Sequence, residues 1–141
     1  MRLANCKQLI IIILFKILLV ACSTPPELEG IWVGHEVKKP SLNWILTIQH
    51  NQFNMICEDL SIWYSGHYKL NNNCERNKVD LEIRNTAVPA YNGKTSFGIY
   101  KIEEDTLILV ANEPGKDARP LSFDNETAEI FAFIFEKSKK E

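Results

Sequence analysis

Val79-Asp80-Leu81-Glu82-Ile83-Arg84 alternates apolar and charged side chains over six residues without a break. Successive side chains of an extended chain point to opposite faces, so this order describes a strand with one face in a core and the other in water. A helix would scatter the same residues around its circumference. Just before it, Asn71-Asn72-Asn73 marks a turn, because asparagine tolerates left-handed backbone angles. Before that turn, Ile62, Tyr64, Gly66, Tyr68 and Leu70 share one parity along a longer strand, which the Ser65-Gly66 pair is placed to bend.

The same period of two runs outward in both directions. Ile31–Val37 reads as a first strand closed by Lys38-Lys39-Pro40, and Trp44–Gln49 as a second with Trp44, Leu46 and Ile48 on one face. His50-Asn51-Gln52 then turns the chain into Phe53–Cys57, where Phe53, Met55 and Cys57 share a face. Beyond Arg84, a loop over residues 85–94 leads to Phe97–Ile102, and Glu103-Glu104-Asp105 turns it into Thr106–Ala111. The longest loop, 112–127, carries Pro114-Gly115 and Arg119-Pro120. A last strand, Glu129–Glu136, has Phe131, Phe133 and Phe135 on one face. About eight strands at regular spacing, with no helical period, predict an all-β domain that is either a closed up-and-down barrel or a sandwich.

The N-terminal segment differs in kind. Met1–Gln8 is a short basic head, and Leu9–Ala21 is an apolar run broken only by Lys16. Thirteen helical residues rise about 20 Å, short of the ~30 Å hydrocarbon thickness, so a signal peptide over 1–21 fits better than a membrane span. The run ends in Leu19-Val20-Ala21-Cys22, which resembles the lipobox of bacterial lipoproteins. There, small side chains admit the peptidase and the cysteine thiol takes a diacylglycerol. The alternative is an ordinary secretory signal with an incidental cysteine. On the lipoprotein reading Cys22 is the lipidation site and the mature N-terminus. Its acyl chains, palmitate among them, form the membrane anchor, and residues 22–29 are a short tether carrying Ser23-Thr24-Pro25-Pro26. Ser23 is not the aspartate that retains many such proteins in the inner membrane, which favours the outer membrane of a bacterial envelope.

Composition bounds the remainder. The 141 residues carry a formal charge of −2 and are 45% apolar. Residues 1–21 hold Arg2, Lys7 and Lys16 and no acid, so residues 22–141 hold 13 basic against 18 acidic side chains. No basic cluster appears, which argues against a nucleic-acid partner. Thirteen aromatics beyond residue 21 argue against disorder. The expected layout is one monomeric domain over 30–137 with a charged tail at 138–141.

Several short motifs, taken in order, are similar to a known family. Leu28-Glu29-Gly30-Ile31-Trp32 resembles the L-x-G-x-W opening of lipocalin-like domains. Gly66 with Tyr68, Val79-Asp80-Leu81, Gly98-Ile99-Tyr100, Asp105-Thr106-Leu107, Pro114-Gly115-Lys116, Arg119-Pro120 and Phe123 complete the set. Together they resemble an uncharacterised bacterial lipocalin-like domain family first described as paralogues in planctomycetes. The resemblance covers about residues 28–136 and implies an eight-stranded barrel on a secreted or lipid-anchored protein. It implies no activity. Kinship with lipocalins implies a cup for a small apolar ligand.

The residues supply few chemical signals. Gly30 and Trp32 are expected to close one barrel end, with Trp32 packed under a cation such as Arg119. Cys57 and Cys74 are the thiols left beyond Cys22. A disulfide between them and two unbridged thiols both remain open, since a simple hairpin register sets them far apart. His35, His50 and His67 have no metal-ligand spacing, Asp80 and Glu82 point outward together, and no nucleophile or cofactor motif appears. No metal, cofactor or enzymatic activity is therefore expected. Trp44, Tyr64, Tyr68, Phe97, Tyr100 and Phe133 are the candidate ligand-lining residues, though the aromatics also suffice to fill a small barrel. Two functions fit: binding of a small apolar or amphipathic molecule, or an interaction or inhibitor module working through loops 85–94 and 112–127. An apolar cavity of roughly 300 Å³ or more would favour the first. A filled core with an exposed apolar loop patch would favour the second.

Overall fold

Eight strands run antiparallel, each paired with the next in sequence, and the last pairs with the first to close a barrel. The computed structural model describes residues 27–71, 77–124, 127 and 129–139. The strands are β1 Gly30–Glu36, β2 Lys39–Gln49, β3 Gln52–Cys57, β4 Ile62–Leu70, β5 Asn77–Thr86, β6 Thr95–Glu103, β7 Thr106–Asn112 and β8 Ile130–Lys137. Closure runs from Trp32↔Lys137 to Glu36↔Phe133 between β1 and β8. The fold is a closed up-and-down barrel and not a sandwich. Every strand has two neighbours, so no ladder is left unpaired at an edge.

Alternation decides which residues fill it. Trp44, Leu46 and Ile48 of β2, Phe53, Met55 and Cys57 of β3, and Val79, Leu81 and Ile83 of β5 are buried in one core. Phe133 and Phe135 join them from β8. Each fully buried side chain of this size contributes roughly 1.5–3 kcal/mol relative to exposure.

The turns follow from their residues. His50 and Asn51 both have positive φ (49° and 62°), the pairing a two-residue hairpin needs. At Ser65/Gly66 the β4–β5 register shifts. A Cβ on Gly66 would collide with the Glu82 carbonyl oxygen, so the expected bend is a bulge that only glycine permits. One boundary differs from the sequence reading: β2 begins at Lys39 and includes Pro40. The β1 ladder ends at Glu36↔Lys39, so β1 asks no amide hydrogen of Pro40.

The two barrel ends are unlike. At one end, where Gly30 faces Ile48 and the 50–51 and 104–105 turns lie, Leu28 and Trp32 are buried as a plug. Trp32 Nε1–H donates to the Leu28 carbonyl at 2.9 Å. Gly30, at φ 140°, lets the chain turn from the plug into β1. The cation over Trp32 is Lys137, 5.3 Å from the ring, and not Arg119. The β1–β8 register puts Trp32 opposite Lys137, whereas Arg119 belongs to a loop on another wall.

That loop builds a second, smaller core outside the barrel. Ile99, Val110 and Ala132, outward residues of β6, β7 and β8, are buried with Phe123 packed against them. Arg119 fastens the loop: its Nη1 donates to the carbonyls of Val79 (3.1 Å) and Gly98 (2.7 Å), and its Nη2 to Asp80 Oδ1. Its guanidinium also lies 5.2 Å from the Phe97 ring centre.

Candidate functional site

The opposite end is open. The 37–38 turn, the 58–61 connection with its short 3-10 turn, the 87–94 loop and the start of the long loop after β7 surround the mouth. Inside it lies a largely apolar cup of about 140 Å³. Phe53, Met55, Leu81 and Leu109 form its floor, Trp44, Tyr64 and Phe133 its wall, and Leu60, Tyr91 and Pro114 its rim. The volume is below the ~300 Å³ of a drug-sized pocket but comparable to cavities of about 150 Å³ that take benzene. The barrel is thus neither hollow nor filled: aliphatic and aromatic side chains pack the bore and leave a small space under the mouth.

The wall aromatics hold one another. Trp44 stacks on Tyr64 (centroids 6.2 Å apart, planes 13°) and meets Phe133 edge-on at 5.6 Å. Tyr64 also touches Tyr91, 6.3 Å away. The Tyr91 hydroxyl donates to Glu113 Oε1 at 3.0 Å, tying the two mouth loops together. Ser96 Oγ donates to the Asn112 carbonyl at 2.6 Å, and Asn112 Nδ2 to the Ala118 carbonyl. Loop ends braced in this way give the rim a fixed shape.

Two polar groups on the residues lining the cup stand out. Trp44 Nε1–H is buried away from the cup space, with no hydrogen-bond acceptor among the described residues. Glu36, on β1 with the inward parity of Trp32, lines the cup at 5% exposure. Burial pushes the Tyr64 phenol up to about 12, with help from the charges of Tyr91, Glu36 and Cys57, so it remains an O–H donor in neutral water. Tyr91 is also raised, first by burial and then by its bond to Glu113.

Of the six aromatics named from sequence, Trp44, Tyr64 and Phe133 line the cup. Tyr100 is fully buried in the core below it, and Tyr68 packs against the same core on β4 without reaching the cup. Phe97 lies on the outer wall beneath Arg119. Parity explains that correction: Phe97 and Tyr100 are three residues apart on one strand and cannot share a face. Gly30 and Trp32 sit at the sealed end, and Arg119 fastens the outer loop. Sequence reasoning missed Glu36, Ser96 and Tyr91. The signal for Glu36 was present, since it shares a face with Trp32 and Gly34.

Cys57 is an unbridged thiol, fully buried at the mouth end of β3. Cys74 and Cys22 lie outside the described residues. His50 and His67 border an open trough of about 610 Å³ on the outer face of β2–β5, beside the half-exposed Trp63. It is the larger hollow, but its lining is more polar and no orphaned buried group points into it. Among the described residues no three His, Cys, Asp or Glu side chains gather as a metal would require.

The chain matches no known family model, no curated protein and no solved structure. What it shares with lipocalin-like proteins is the closed eight-stranded antiparallel barrel.

Proposed function

We propose that the protein is a lipid-anchored lipoprotein of the bacterial envelope whose barrel binds a small apolar or amphipathic molecule without catalysis. The observation that carries the binding reading is the cup: an apolar space under a braced mouth. The ordered motifs from Leu28 to Phe123 support kinship with the bacterial lipocalin-like domain. The anchor rests on the Leu19–Cys22 motif. Residues 23–29 span at most about 25 Å. On this reading they hold the sealed end toward the bilayer and leave the mouth facing water.

A second reading, a protein-interaction module, is favoured by Leu121, which is 79% exposed on the long loop. Mass spectrometry of the protein extracted gently from native membrane separates the two. A recurrent co-purifying small molecule is expected; its absence together with a stoichiometric protein partner would overturn ligand binding. Labelling with a lipid precursor tests the anchor. Label on the wild-type chain should vanish in Cys22→Ala, and label retained there would refute the assignment.

A further inference from the structure

The outward side chains of β2, β3 and β4 form three registered rows along the trough on that wall. Nearest the mouth, Ile45, Ile56 and Trp63 lie opposite one another. The middle row is Thr47, Asn54 and Ser65, continued on β5 by Asn85. The third, toward the sealed end, is Gln49, Gln52 and His67. None of these nine positions on β2–β4 carries Lys, Arg, Asp or Glu, in a chain that is 24% charged. On the adjacent strand the outward positions Lys78, Asp80, Glu82 and Arg84 are all charged, so neutrality belongs to this patch and not to the outer wall in general. Among the described residues, the single permanent charge lining the trough is Arg84, and Glu82 pairs with it at 2.9 Å. Among the same residues, the hydroxyls and amides of the middle and third rows hydrogen-bond no other protein group. Trp63 stands beside them, 40% exposed.

We propose that this trough is a binding face for an uncharged oligosaccharide. A pyranose ring has a face of C–H bonds that rests on an indole, and a rim of hydroxyls that both donate and accept. Trp63 and Ile56 meet the first. The amides and hydroxyls of the other two rows meet the second, because each can donate and accept at once. Absence of charge matches an uncharged ligand, whereas a phosphate-rich polymer or an anionic lipid surface calls for a cationic patch. A protein partner calls for an apolar centre, and here the apolar row stands at one margin. The Ser65/Gly66 bulge falls within the trough lining, and a bulge bends its strand. From Trp63 to His67 the strand runs about 13 Å, room for roughly two or three sugar rings. The site lies outside the barrel and is independent of the cup.

Trp32 and Trp44 are only 1% and 4% exposed, so quenching of tryptophan emission by acrylamide reports chiefly on Trp63. The full chain, in a detergent without a sugar headgroup, is titrated with cellotriose, tri-N-acetylchitotriose and their monosaccharides, glucose and N-acetylglucosamine. At least one trisaccharide should shield Trp63 from acrylamide and bind about tenfold or more tightly than its monosaccharide. Trp63→Ala and Asn54→Ala change exposed outward positions and should each weaken that binding about tenfold by isothermal titration, with far-ultraviolet circular dichroism unchanged. If neither trisaccharide shields Trp63 at millimolar concentration, the proposal falls. It falls too if Trp63→Ala binds the sugar as well as the wild type, which would place the sugar elsewhere. Shielding that grows with protein concentration in the absence of sugar would assign the face to a second copy of the chain and overturn the proposal. The wild-type comparison decides without relying on either variant folding, and none of these results touches the cup inside the barrel.

Discussion

Removing the Arg119 side chain should unfasten the long loop from the barrel wall. In Arg119→Ala the loop loses three hydrogen bonds, to Val79, Gly98 and Asp80, and a cation–π contact with Phe97. Bonds to a charged donor contribute about 1.5–3 kcal/mol each when buried. Here both side chains of the ion pair are about one-fifth exposed, and water can replace part of what is lost. Allowing roughly 1 kcal/mol for each of the two carbonyls, about 0.5 for the carboxylate and about 0.5 for the ring gives a loss near 3 kcal/mol. A domain typically has 5–15 kcal/mol to spare, so the variant should still fold. Urea unfolding followed by far-ultraviolet circular dichroism should give that loss with an unchanged m-value. Arg119→Lys should recover less than half, because an ammonium cannot reach two carbonyls and a carboxylate in one plane. A cost under about 1 kcal/mol for Arg119→Ala would refute the clasp. Trp32 offers a control: Lys137→Ala should shift its fluorescence, and Arg119→Ala should leave it alone.

Other substitutions probe the plug, the bulge and the wall. Trp32→Phe deletes the bond to the Leu28 carbonyl and part of the sealing ring, and should cost about 2–3 kcal/mol in the same urea assay; a loss under about 0.5 kcal/mol would show the plug to be ornamental. Gly66→Ala forces a Cβ onto the Glu82 carbonyl and should cost at least about 2 kcal/mol, whereas an unchanged midpoint would mean the bulge relaxes freely. The Tyr64 phenol is held above its ordinary value of 10, so its share of stability is whole below pH 10 and is lost as pH climbs toward about 12. Partial exposure keeps that share near 2 kcal/mol or less. Urea midpoints at pH 9 and pH 11.5 should therefore diverge less in Tyr64→Phe than in the wild type, and equal divergence would argue against a buried hydroxyl.

Barrel and inner face were readable because they depend on local alternation. Phe53, Met55 and Cys57, or Val79, Leu81 and Ile83, carry their orientation in their spacing, and a closed ladder leaves little choice of neighbours. The site was harder. Treating the aromatics as one class put Phe97 beside Tyr100, although parity separates them. Passing over Glu36 as an ordinary strand carboxylate hid the single acid that shares a face with Trp32. Arg119 was out of reach for a different reason: its partners, Val79 and Gly98, lie 40 and 21 residues away, and no short-range pattern encodes where a long loop lands. The outer core left a trace in Gly98-Ile99-Tyr100 and Leu109-Val110-Ala111, where both strand faces are apolar, as they must be when a loop covers the outside.

The pairing of β1 with β8 also sets a timetable for the chain. One of the first strand's two neighbours is β8, about a hundred residues later, so the barrel cannot close before β8 has been made. Until Ile130–Lys137 has left the ribosome, β1 and β7 each present an open edge, and contacts so distant in sequence form slowly. That delay leaves both edges exposed to wrong partners. The same pairing of β1 with β8 that closes the barrel sets Trp32 of the plug opposite Lys137 and Glu36 of the mouth opposite Phe133.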